Sequence, residues 1–293
     1  MGAVSNVISK YSVGDISPIS LAFYRWLVAT FVMTPFLMRG FLREFDKIVA
    51  IKSLVFLVAL TGVTLFNIFV YYAMHYTSTT SVAIVTSMFP IFVMLFGLCI
   101  NKDRLKLVQV ISIILASVGA LVIVTKGDIA AELSELFSNY GDFLALIATI
   151  SYGIYTFAFR SKPEDVSFYS FSYATFLLGT IMLFPFYMFD IFYLENSLEV
   201  NLQNVSAILC LGVAVSVVGM LVFNMTILKL GYNLASIIFY LMPAFTAIMA
   251  TTLLHEDIEH FHFIGMMLIL VGVNLPITAQ YIRKKDEALY AKS

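Results

Sequence analysis

Residues 81–92 read SVAIVTSMFPIF, and residues 234–245, which lie 153 positions further on, read LASIIFYLMPAF. The shift superposes Ile84 on Ile237, Pro90 on Pro243 and Phe92 on Phe245. It continues without a gap through Asp103 on Glu256, Leu115 on Leu268, Val118 on Val271 and Gly119 on Gly272. Upstream, a shift of 150 pairs Asp15 with Asp165, Ser17 with Ser167, Ser20 with Ser170, Pro35 with Pro185 and Phe36 with Phe186. The back half of the chain therefore repeats the front half. If each copy holds an odd number of membrane spans, the second must enter the bilayer from the opposite side. Inverted repeats of this kind are one route to alternating access in secondary transporters.

Composition identifies the solvent. Of 293 residues, 61% are apolar and 12% charged, with a mean hydropathy of +0.95; a soluble chain has about a quarter of its residues charged. The net charge of −1 gives no reason to expect nucleic-acid binding. Cys99 and Cys210 lie inside apolar runs, so they suggest small lipid- or core-facing residues and neither a disulfide framework nor a metal site.

A spanning helix needs about 20 mostly apolar residues. Nine runs qualify: Pro18–Met38, Ser53–Met74, Ser81–Ile100, Leu107–Thr125, Asp142–Phe159, Phe168–Phe189, Val205–Leu228, Leu234–Leu254 and Phe261–Ile282. Met1–Ser9 overlies Ser151–Phe159, the second half of the run opening at Asp142. It reads as a half-span lacking about ten residues of a complete one, and it has neither the basic leader nor the apolar core of a cleavable signal. The expected fold is all-α integral membrane: ten transmembrane helices as two inverted five-helix repeats, helix 1 truncated at the N-terminus. Residues 1–126 form the first repeat, 127–140 an external connector, 141–282 the second repeat and 283–293 a cytoplasmic basic tail.

Charge distribution supports the count. With the N-terminus inside, the inner connectors hold Arg39, Arg43, Lys47, Lys52, Lys102, Arg104, Lys106, Arg160, Lys162 and Lys229, and the tail adds Arg283, Lys284, Lys285 and Lys292. The outer connectors hold only Lys10 and Lys126. Fourteen against two is a strong positive-inside bias. It places both termini in the cytoplasm, in the inner membrane of a prokaryote.

The ordered motifs resemble the drug/metabolite transporter superfamily in its EamA branch. YYAMHYTSTTSVAIVTSMFPIF (71–92) is followed by an acidic turn and ILASVGALVIV (114–124); the second copy has IIFYLMPAF (237–245) and LLHEDIEHFHFIGMMLILVGV (253–273). SPISLAFYRWLVA (17–29) and GDFLALIATISYGIYTFAFR (141–160) are similar to that family too, and the likeness covers essentially the whole chain. Asp103–Arg104 departs from it where the family usually has a Glu. Membership implies ten helices and a small-solute permease without enzymatic activity or cofactor, working as a monomer or homodimer in the lipid bilayer. It does not name the substrate. Amino-acid export is the leading expectation; uptake or exchange of a nucleoside-like metabolite such as S-adenosylmethionine, or a non-transporting assembly subunit, are the alternatives.

Arg25 is the one charged side chain well inside an apolar run, seven residues past Pro18 and so about 10 Å along the helix. An arginine there costs at least a few kcal/mol unless it faces protein, water or an anion. It reads either as a site for a substrate carboxylate or phosphate, or as a structural arginine that bonds helix-end carbonyls or snorkels outward. Thr64, Asn67 and Tyr71 share one helix face by spacing, as do Tyr152, Tyr155, Thr156 and Phe159. Asn6, Ser87, Ser170, Tyr173, Ser216, Asn224 and Tyr240 supply polar groups on other spans, and the shift of 153 lays Asn224 on Tyr71. Together they suggest an aromatic, mainly uncharged cavity for amphipathic solutes, although interhelical hydrogen bonding explains any single one equally well. Pro90 and Pro243, mid-span at equivalent positions, are candidate hinges or static bends.

HEDIEHFH (255–262) reads as a solvated acidic turn, because its His/Glu spacing has no second cluster to complete a metal site. All eighteen Asp and Glu residues lie in connectors or at span ends, with Asp142 and Asp190 nearest the bundle. That disfavours a carboxylate proton relay and leaves facilitated diffusion or exchange.

Overall fold

The computed structural model describes residues 17–102, 107–136, 139–193, 202–241 and 260–290, and all regular structure among them is helical. The Met1–Ser9 half-span, Asn6, Pro243 and most of the acidic turn lie outside the described residues. In chain order the helices are α1 (Pro18–Arg43), α2 (Phe45–Ala50), α3 (Lys52–Tyr76), α4 (Thr79–Ser87), α5 (Phe89–Asn101), α6 (Leu107–Val124), α7 (Ile129–Glu135), α8 (Tyr140–Phe159), α9 (Phe168–Tyr193), α10 (202–230), α11 (Tyr232–Ile238) and α12 (His260–Tyr290). Seven stretches among the described residues are long and apolar enough to cross a membrane: α1, α3, α4 with α5, α6, α8, α9 and α10. They correspond to the first seven full-length runs of the sequence. The eighth is described only as far as residue 241, and the ninth falls within α12, whose apolar part is His260–Pro276.

Phe31 and Phe36 are each 79% exposed on the bundle surface, and Cys99 and Cys210 are exposed with them. A belt of bare aromatic rings is at home only against lipid tails. Helix α1 runs to Arg43, past the expected end at Met38, because Arg39 and Arg43 point outward and can carry their charge to water without breaking the helix.

Two antiparallel helix pairs organise the bundle. In the first, α1 packs along α9, and repeat-equivalent residues meet across the seam. The hydroxyls of Thr30 and Thr180 lie 2.9 Å apart, and the rings of Trp26 and Phe176 are 4.9 Å apart. Each helix begins with the same cap: Ser17 accepts from the Ser20 N–H and Ser167 from the Ser170 N–H, both at 3.1 Å. Each cap is closed by an acid from the far end of the partner. Asp190, near the end of α9, accepts from the Ser17 and Ser20 hydroxyls, while Glu44, just past α1, accepts from the Ser167 N–H at 3.0 Å. Carboxylates at helix N-termini also complement the macrodipole.

The second pair is α6 with α12. A Cβ on Gly119 would lie 2.7 Å from the Gly265 carbonyl and 2.9 Å from Ile269; one on Gly272 would lie 2.9 Å from the Ser112 carbonyl and 2.8 Å from the Ala116 nitrogen. Gly265 and Ile269 are the equivalents of Ser112 and Ala116 at the shift of 153. The contact is therefore reciprocal, and it closes only because both glycines lack a side chain.

The two registers of the repeat meet inside matching helices. Both α3 and α10 contain a π-helical segment, Leu60–Leu65 in one and Leu211–Gly219 in the other. The segments open 151 positions apart and close 154 apart, and their lengths of 6 and 9 residues differ by the three that separate the shifts of 150 and 153. Wide turns of this kind absorb residues a regular helix cannot.

Candidate functional site

Of the sequence-derived residues, Arg25, Asn67, Tyr71, Tyr152, Tyr155 and Asn224 gather in two clusters between α1, α3, α8 and α10. The first centres on Arg25, which is 7% exposed. Its Nη2 donates to Asn67 Oδ1, and its guanidinium lies 5.5 Å from the centre of the Trp26 ring and 5.8 Å from that of Tyr71. Asn67 is itself held by its Nδ2, which donates to the Val63 carbonyl at 2.5 Å, one turn back in the π segment. Arg25 thus neither snorkels to the surface nor bonds helix-end carbonyls: it is buried against a side-chain amide and two aromatic faces. Among the described residues its Nε has no acceptor, nor does Trp26 Nε1.

The second cluster is aromatic. Tyr152 is surrounded by Phe66, Phe89, Tyr155, Phe223 and Phe239 at ring separations of 4.5 to 6.1 Å. Tyr155, wholly buried, donates its hydroxyl to Asn224 Oδ1, and Asn224 Nδ2 has no acceptor among the described residues. The clusters adjoin along α3, where Phe66, whose ring lies 4.5 Å from that of Tyr152, directly precedes Asn67. Gly62 lets the π segment of α3 lie flat on Tyr155, since a Cβ there would fall 2.1 Å from the ring.

Other expected residues sit elsewhere. Thr64 faces the α9 backbone, with the Gly179 carbonyl at 3.4 Å. Tyr173 bonds Thr34 and packs on Phe41 toward the Arg43 end of α1, and Ser170 belongs to the α9 cap. Tyr240 pairs with Ser117 at 2.5 Å beside the α6–α12 pair, and Ser87 bonds back to the Ile84 carbonyl. Pro90 lies at the start of α5, just after Met88 interrupts the span between α4 and α5. A proline lacks the N–H that would continue the ladder, so the break follows directly.

Asp142 and Asp190, expected at span ends, are both buried, at 0% and 2% exposure. Thr77 donates to Asp142 at 2.8 Å, and Asp190 holds the α1 cap. Beside them a groove of about 580 Å³ opens among the rings of Tyr72, Tyr76, Tyr140 and Phe189. Trp26, Phe66, Phe89, Phe223 and Phe239 escaped the sequence reading. Large apolar rings in an apolar span carry no signal of their own, although the shift of 150 does lay Trp26 on Phe176.

Seven lipid-length helices among the described residues, an apolar aromatic surface and a polar–aromatic interior define a multi-pass membrane protein. The sequence profile of the EamA-like transporter family matches residues 1–125 and 139–277, and the chain belongs to that family. It is similar to an uncharacterized transporter of Archaeoglobus fulgidus, 29% identical over 289 residues that cover 95% of this chain and 94% of the relative. Uncharacterized transporter YyaM of Bacillus subtilis is 28% identical over 279 residues, covering 93% and 88%. A protein of known crystal structure shares the fold with a TM-score of 0.74 at 16% identity, over 96% of this chain and 94% of that one.

Proposed function

We propose that this transporter is a ten-helix permease of two inverted five-helix repeats. In this reading it exports amino acids or related amphipathic solutes across the cytoplasmic membrane of a prokaryote by alternating access, with both termini cytoplasmic. The observation that carries the reading is the α1–α9 seam. Copies of one helix inserted in opposite directions are expected to meet antiparallel about a two-fold axis, and the Thr30–Thr180 and Trp26–Phe176 contacts with reciprocal caps fit that expectation. The α6–α12 pair supports it with the same reciprocity. Rocking one repeat against the other along these seams would expose the Arg25 and Tyr152 clusters to each side in turn. In the described state both clusters are packed shut, with the groove at Tyr72 and Tyr140 on the side that charge bias assigns to the exterior.

The test is counterflow of labelled L-amino acids in proteoliposomes, in wild type and in variants with Leu at Asn67, Tyr71, Tyr155 or Asn224. Removing a buried polar partner costs about 1–3 kcal/mol, so roughly five- to hundredfold weaker apparent affinity is expected with membrane insertion intact. Absence of flux for every solute sinks the permease reading and favours an assembly subunit. Normal flux in all four variants sinks the shared path.

A further inference from the structure

We propose that Arg25 is the anchor for a carboxylate on the transported solute, so that the permease binds carboxylate-bearing solutes and rejects the same molecules once that group is capped. The inference rests on the permease reading above and names the chemistry its site recognises.

The cation is held but not neutralised. Asn67 and the faces of Trp26 and Tyr71 are neutral ligands, and among the described residues the ion pair formed is Lys47–Asp165, far off at the surface. The buried acids Asp142 and Asp190 are occupied with Thr77, Ser17 and Ser20 at one end of the bundle. A guanidinium in this setting costs several kcal/mol unless an anion joins it. The free hydrogen-bonding capacity nearby is lopsided in the same direction. Among the described residues, Arg25 Nε, Trp26 Nε1 and Asn224 Nδ2 are buried N–H donors without acceptors, and the open Ser172 and Ser216 hydroxyls can donate as well as accept, with Asn233 Oδ1 the one open atom that only accepts. Buried donors are normally satisfied, and three left open around two adjoining clusters call for a ligand rich in acceptor oxygens.

The choice of carboxylate over phosphate follows from charge. One guanidinium neutralises one negative charge, and Arg25 is the single Lys or Arg well inside a span. A phosphate monoester near pH 7 carries about two charges and would leave the second uncompensated in low dielectric. A carboxylate matches the fork of the guanidinium and leaves no excess negative charge. The aromatic walls of Phe66, Phe89, Tyr152, Phe223 and Phe239 then lie where the apolar body of such a solute would rest.

The protein carries its own reporter. Trp26 is the one tryptophan of the chain, and the Arg25 guanidinium lies against its ring. Tryptophan emission of the full-length protein in detergent is titrated with L-leucine and L-phenylalanine, and in parallel with their methyl esters, which keep the ammonium and side chain but lose the carboxylate. Expected are saturable changes with the acids and an apparent Kd about ten- to hundredfold weaker for the esters, the range for losing hydrogen bonds to a charged group. R25Q should bring the acids to the level of the esters, removing the difference between the two series. R25K, which retains the charge but not the fork, should fall between, and it covers the case in which R25Q fails to fold. Acids and esters binding equally, while counterflow of amino acids persists, overturn the carboxylate anchor and leave the permease reading standing. If no solute moves across the membrane at all, the permease reading falls and takes the anchor with it.

Discussion

Replacing Gly62 by Ala tests the link between the π segment of α3 and the aromatic cluster. The added Cβ would sit 2.1, 2.5 and 2.6 Å from three atoms of the Tyr155 ring. Ordinary carbon contact begins at about 3.5 Å, so the ring or the helix must retreat by more than 1 Å. Tyr155 is 0% exposed and wedged between Tyr152, 5.3 Å away, and Phe159, 5.7 Å away, which leaves little room for the ring to yield. Overpacking of this kind costs about 1–3 kcal/mol, and three atoms in collision point to the upper part of that range. Displacement of the ring also disturbs the Tyr155–Asn224 bond, so stability and transport should fall together. Gly40→Ala is the control, because its Cβ would meet nothing nearer than the Ser170 hydroxyl at 3.6 Å; it should be neutral or slightly stabilising, since Ala is the better helix former. The assay is retention of the folded peak on size-exclusion chromatography after heating, run as a double-mutant cycle. In a Tyr155→Ala background the same Gly62→Ala change should cost nothing or partly refill the void. An equal loss in both backgrounds would show that the ring contact is not its source, and no loss in wild type would refute the close approach itself.

Two further tests address the ends of the bundle. Burial raises the Glu44 carboxyl, but hydrogen bonds from Ser170 and Ser167, with Lys47 nearby, outweigh it and hold the group below its ordinary value of 4.5. A carboxyl lowered in the folded state stabilises fully above its unfolded pKa, and loses that contribution as pH falls through the folded value. Thermal stability should therefore decline below about pH 4.5 less steeply in Glu44→Gln than in wild type, by a small margin because the group is largely solvated; identical acid limbs would remove Glu44 from the cap. Reporter fusions behind Lys292 and in the Arg39–Lys52 connector should read as cytoplasmic, and one in the Asp128–Glu135 segment as external; an external C-terminus would sink the ten-helix arrangement.

What was legible from sequence follows from which interactions leave a periodic mark. Span positions were readable because the hydrophobic requirement acts on every residue of a lipid-crossing helix, and the first seven full-length runs reappear as lipid-length helices among the described residues. The Tyr155–Asn224 and Arg25–Asn67 contacts join residues singled out as polar groups in apolar runs, since such groups must find partners. Thr64, Tyr173 and Tyr240 satisfied the same rule with partners outside the two clusters, which spacing alone cannot foresee. Burial of Asp142 and Asp190 was invisible too. Both sit at helix ends, where sequence predicts water, and only the folded chain brings Thr77 and the α1 cap against them.

Where the two copies agree and where they differ follows a physical logic. Several residues that touch their own equivalents, or form reciprocal contacts, are the same or similar in both copies: Ser17 and Ser167, Thr30 and Thr180, Trp26 and Phe176, Gly119 and Gly272. In the proposed inverted-repeat arrangement such a seam presents each face to its own copy, which favours one residue type on both sides. The candidate site breaks this rule position by position. Arg25 overlies Thr175, Asn67 overlies Met220 and Tyr71 overlies Asn224 at the shifts of 150 and 153. A small organic solute has no two-fold axis, and a pocket fitted to it has no use for one. Like residues recur where the seam packs, whereas Arg25 brings a charge that its counterpart Thr175 lacks, on the one side where an asymmetric ligand would need it.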